Sequence, residues 1–117
     1  MVRVKFQRDF IVDESGTASR TVLVGYTVSG HAGCGDHGKD VVCAGVSAIA
    51  QAVVLALQEI LGPRVRTARS DGFLSVDVDK VDASQEGTQA LMRCLELGFQ
   101  SISRQYPESV SLAYQDR

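Results

Sequence analysis

Both histidines and two of the three cysteines of this chain fall between His31 and Cys43, in the stretch GHAGCGDHGKDVVCAGVSA. Gly30, Gly33, Gly35 and Gly38 are threaded among them. Two chemistries call for such a cluster. In a metal site, His31, Cys34, His37 and Cys43 would read H-x2-C-x2-H-x5-C, four ligands of the types zinc accepts. The usual structural zinc signature differs, with two short ligand pairs set across a longer loop, and it stabilises folds that lack a sufficient core.

In a nucleophilic site, the thiolate of Cys43 would attack a carbonyl. Cys43 lies three residues after Asp40, a favoured helix N-cap, which places it just inside the first turn of a helix. Unsatisfied N–H groups and the positive dipole end there stabilise a thiolate and can hold a developing oxyanion. His31, at the end of a strand beside a glycine-rich loop, is placed to return to Cys43 as general base. Asp40 either caps the helix or orients the imidazole. Ser47, one turn below Cys43, bonds within the site or back to the helix. A bland reading stands beside both: a small buried thiol and solvated histidines in a polar loop. Cys94, among Leu91, Leu95 and Phe99, reads as a core thiol.

These residues must be positioned by ordinary elements. Val2, Val4 and Phe6 alternate with Arg3, Lys5 and Gln7, as in a half-buried strand. After the polar turn DESGTAS, a second alternation puts Val22, Val24, Tyr26 and Val28 on one face. The glycine-rich segment then leads into a long apolar helix that ends near Leu61, with Gly62-Pro63 as its stop signal. Residues 64–70 and 73–79 flank Asp71-Gly72 as a hairpin, with Leu74, Val76 and Val78 facing inward. A second helix runs from about Ser84 to Gln105, capped by Asp82 or Ser84, with an inward stripe of Leu91, Leu95, Phe99 and Ile102. Val110, Leu112 and Tyr114 form a last strand. The order strand-strand-helix-strand-strand-helix-strand predicts one α+β domain over residues 1–117, with two helices on a mostly antiparallel sheet.

At 117 residues, with 44% apolar and 22% charged residues, the chain has the composition of a folded soluble domain. A net charge of -2 argues against direct nucleic-acid binding through a large basic surface. The N-terminus MVRVKFQRDF does not read as a signal peptide, so cytoplasmic localisation and reduced thiols are expected. The run VVCAGVSAIAQAVVLAL is short for a membrane span and contains Gly45, Ser47 and Gln51, so a buried helix explains it better. Cys43, Ser47 and Gln51 share one side of that helix at i, i+4 and i+8. Its otherwise apolar circumference needs cover on more than one side, from the sheet and from the second helix or a second subunit. Arg64, Arg66 and Arg69 give one strand a basic side, read as solvated, with peptide or RNA contact as the alternative.

The stretch resembles the signature of the bacterial ribosomal-processing cysteine protease family, Prp. The matching residues are Gly30-His31-Ala32, then Gly38-Lys39-Asp40-Val41-Val42-Cys43-Ala44 and Ser47. The resemblance implies a cysteine endopeptidase with Cys43 as nucleophile, His31 as base, and Asp40 and Ser47 in support. It implies a homodimer without cofactor or metal, and a glycine loop (Gly30, Gly33, Gly35, Gly38) that moves aside for substrate. The implied substrate is the short N-terminal extension of a large-subunit ribosomal protein, the L27 homologue, cut after an aromatic residue. The competing class is a non-enzymatic ribosome-assembly or zinc-binding module that uses the His/Cys cluster.

Overall fold

The structure is a computed structural model describing residues 1–30 and 39–117, with side chains at all of these except Lys39 and Asp40. The chain runs β1 (Val2–Val12), β2 (Ala18–Ser29), α1 (Lys39–Leu61), a 3-10 turn (Gly62–Arg64), β3 (Arg66–Ser70), β4 (Phe73–Asp77), α2 (Lys80–Ala83), α3 (Glu86–Gln105) and β5 (Val110–Asp116). The five strands form one sheet in the order β3-β4-β2-β1-β5.

The expected α+β class holds, but the sheet is mixed. β1–β2, β2–β4 and β3–β4 are antiparallel, while β5 lies parallel to β1 with Val2 opposite Val110. The reason is topological. A helix laid across a sheet returns the chain to the end it left, so the next strand runs in the same direction as the one before the helix. Thus α1 carries the chain from β2 to a parallel β3, and α3 carries it from β4 to a parallel β5. The helical turn α2 has no counterpart among the expected elements. This single turn closes with Ser84 Oγ donating to the Val81 carbonyl at 2.8 Å. Ser84 therefore ends α2 instead of capping α3, and Asp82 is buried beside Arg64 at 3.7 Å. Gln85 occupies the N-cap of α3 and makes no side-chain cap bond.

Alternation sets the core. Val2, Val4 and Phe6 of β1, Val22, Val24 and Tyr26 of β2, and Leu74 and Val76 of β4 are buried under the helices. From above come Val42, Val46, Ala50, Val53, Val54 and Leu57 of α1 and Met92, Leu95 and Phe99 of α3. The helices approach closely at Gly98, where an added Cβ would lie 3.1 Å from Ile49 Cδ1. Cys94 is exposed, contrary to its reading as a core thiol. The buried stripe of α3 centres on Met92, Leu95 and Phe99, and Cys94 lies about 200° around the helix from Met92. α1 is long and apolar enough to cross a membrane by length and composition. Here one side packs on the sheet, while Val41, Ala44, Ala48, Ala52 and Leu55 remain exposed.

Candidate active site

Between α1 and the tip of the β3–β4 hairpin lies a cavity of about 320 Å³. Cys43, Ser47 and Gln51 line it from the helix, so their i, i+4, i+8 spacing projects all three into one space. Gln51 Nε2 donates to Ser47 Oγ at 2.7 Å. This leaves the serine proton free to be donated elsewhere. Val46 and Ala50 form the apolar floor with Val2, Val28 and Leu74, and Arg69, Gly72 and Phe73 form the far wall.

Beneath the cavity, the buried Tyr26 hydroxyl donates to the Ala50 carbonyl at 2.8 Å and ties α1 to β2. Burial pushes the Tyr26 phenol well above the ordinary tyrosine range, and the charge of Arg69 opposes that shift. Gly30 closes the end of β2 at φ 87°, where an added Cβ would sit 2.4 Å from the Met1 carbonyl oxygen. Its N–H donates to the Gly72 carbonyl at 2.9 Å, joining β2 to the hairpin tip. Gly30 is therefore required by a left-handed backbone and a close approach.

Cys43 is half-buried. α1 begins at Lys39, so Asp40 lies inside the first turn and not at the N-cap, and Cys43 is the fifth helical residue. The amides of residues 39–41, shortly ahead of Cys43, are ones that no helical carbonyl reaches. His31, Cys34, His37, Gly33, Gly35 and Gly38 lie outside the described residues, and so does the side chain of Asp40. Of the four metal-ligand candidates, Cys43 is the one described. No group of three or more His, Cys, Asp or Glu suited to a metal occurs among the described residues.

The three arginines do not form one basic side. Arg64 precedes the strand and faces Asp82. Arg66 bonds Asp79 at 3.0 Å and also Asp77. Arg69, an odd number of residues further on, points to the opposite face and lines the cavity. Among the described residues it makes no ion pair or hydrogen bond. Gln51 and Arg69 are the cleft residues to which sequence reasoning gave no role in the site. The signal for Gln51 was its register with Cys43; the signal for Arg69 was strand parity.

The described site is thus a half-buried cysteine near the start of a helix, in a cleft of side-chain size with apolar and amide walls. Residues 1–111 match the family model described as cysteine protease Prp, and the chain belongs to that family of hydrolases. It is 26% identical over 106 residues to the ribosomal processing cysteine protease Prp of Staphylococcus aureus, covering 91% of this chain and 95% of that one. A crystal structure from Streptococcus mutans superposes with a TM-score of 0.77 at 26% identity, covering 100% and 96% of the two chains. The fold is also that of S. aureus Prp bound to a covalently linked product peptide, at a TM-score of 0.75 and 24% identity, covering 98% of this chain and 100% of that one.

Proposed function

We propose that this cysteine protease is an endopeptidase that removes a short N-terminal extension from a large-subunit ribosomal protein, the L27 homologue, cutting after an aromatic residue. Residues 1–117 act as one catalytic domain in the cytoplasm. Cys43 attacks the scissile carbonyl, and the amides at the start of α1 receive the oxyanion. His31 gives its proton to the leaving amine and then activates the water that releases the acyl group. Ser47, with Gln51 donating to its Oγ, supports the thiol side of the site, and Asp40 supports the start of the helix. No cofactor takes part.

The observation that carries this reading is the placement of Cys43, Ser47 and Gln51 along one wall of a mainly apolar cleft that can take a large side chain. The names of the relatives supply the substrate class. The enzyme acts as a homodimer, a reading supported by the α1 face where Val41 and Leu55 are each 66% exposed.

The test is incubation with a synthetic peptide spanning the N-terminal junction of the organism's own L27 homologue, read by mass spectrometry. One cut after an aromatic residue is expected, with none from Cys43→Ala. An intact peptide with the unmodified enzyme would remove the substrate assignment; cleavage by Cys43→Ala would remove the nucleophile.

A further inference from the structure

The edge strand β3 ends beside the cleft, and the pattern of its backbone fixes which groups it presents. A two-residue turn at Asp71-Gly72 joins β3 to β4, with Ser70 opposite Phe73. In such a hairpin the flanking residues form a hydrogen-bonded pair, and bonded and non-bonded pairs then alternate. Ser70–Phe73, Ala68–Ser75 and Arg66–Asp77 are therefore the bonded pairs. The N–H and C=O groups of Thr67 and Arg69 point away from β4, toward an edge that no other described strand pairs.

Two backbone positions elsewhere in the sheet are met by side chains. Where β4 stops pairing with β2, Gln89 of α3 takes over, accepting from the Leu23 N–H at 3.1 Å and donating to its carbonyl at 2.8 Å. Lys80 Nζ donates to the Phe10 carbonyl at 3.0 Å. On β3 all five residues are exposed, and no side chain bonds the main chain of Thr67 or Arg69 among the described residues. The side chains of these two residues share the helix-side face with Leu74 and Val76, their cross-strand partners. Arg69 and Leu74 line the cleft opposite Cys43.

We propose that the peptide substrate binds as an added strand on this edge of β3, held by the main-chain N–H and C=O groups of Thr67 and Arg69. This deepens the reading of Cys43 as a peptidase nucleophile and rests on it. Four edge groups on two alternate residues accept an extended chain of any sequence. Successive substrate side chains alternate between the two faces, so every second one is directed toward the cleft. A cleft of about 320 Å³ takes a single large side chain there, beside the thiol. The backbone thus supplies affinity and the cleft supplies selection.

Two measurements test this on the full-length protein with the junction peptide. In the first, backbone amides of the peptide are N-methylated one at a time. Methylation at alternate positions is expected to lower kcat/KM by about five- to tenfold, with the intervening positions indifferent, as each lost neutral hydrogen bond implies. Sensitivity without a two-residue period would overturn strand addition. In the second, amide exchange is followed by NMR in Cys43→Ala with the peptide bound. The amides of Thr67 and Arg69 should gain protection, while that of Ala68, already paired with Ser75, should not change. Unchanged Thr67 and Arg69 amides would overturn the proposal even where the peptide is cleaved normally. A peptide left uncut by the unmodified enzyme and unbound by Cys43→Ala would overturn it together with the peptidase assignment, and so separates the two failures.

Discussion

At one edge of the sheet, β5 is held down by side chains from three directions. Tyr114 donates from its hydroxyl to Glu96 Oε2 at 2.6 Å and accepts from Gln100 at 3.1 Å. Its ring stacks on Phe6 at 5.1 Å, with the Arg8 guanidinium 4.8 Å away on the ring face. Arg8 continues to Asp116 at 2.8 Å. At the other edge, among the described residues, β3 is clamped on its solvent face, through Arg66 to Asp77 and Asp79. On its helix side, Arg69 lines the cleft with Cys43. Polar side chains thus hold the edge strand remote from Cys43 on its helix side, and the edge strand beside Cys43 on its solvent side.

Substitutions at the two edges should therefore separate activity from stability. Cys43→Ala heads the order: cleavage of the junction peptide falls by at least about a thousandfold, as expected for losing a nucleophile, with thermal unfolding nearly unchanged. A large fall in Tm would instead make Cys43 a packing residue. Gly30→Ala comes next and should cost about 1 to 3 kcal/mol, because φ is positive and the Met1 carbonyl occupies the space of a Cβ. Denaturant unfolding measures this. Activity should fall with it, since Gly30 anchors the hairpin tip through Gly72.

Tyr114→Phe should cost about 1 kcal/mol of stability and leave kcat/KM unchanged, as the loss of one hydrogen bond at the closed edge implies. A change in kcat/KM would break the separation between edges. The same tyrosine enters the alkaline limb of stability. Burial, with the Glu96 hydrogen bond, raises the Tyr114 phenol above its ordinary value, and burial raises Tyr26 further. The unfolded chain ionises first, so this stabilisation is complete below about pH 10 and lost as pH rises through the folded-state values. Alkaline unfolding followed by fluorescence should be shallower in Tyr114→Phe. Smallest of all, Arg8→Ala should change stability by a few tenths of a kcal/mol up to about 1, since its pairing with Asp116 is exposed.

Most of the scaffold could be read in the chain. Alternation in β1 and β2, the Asp71-Gly72 turn, the Gly62-Pro63 stop and the Leu91-Leu95-Phe99 stripe are local patterns, and each appears where its residues predict. The misreadings share a cause. The parallel placement of β5 depends on which end of the sheet α3 returns to. The exposure of Cys94 depends on which side of α3 meets the core. The single turn of α2 is too short for any period to register.

The sequence by itself determined the chemistry available to this protein. A thiol, a serine and an amide at one-turn intervals must share a helix side, whatever that helix packs against, because 3.6 residues make a turn. Only the tertiary structure decided what they face. The cleft joins side chains from β1, β2, α1, β3 and β4, segments as distant as Val2 and Leu74. Arg69, one of three arginines within residues 64–69, lines the cleft because strand parity turned it away from the carboxylates that hold Arg66. Proximity across such separations follows from the fold of the backbone, which no local pattern encodes.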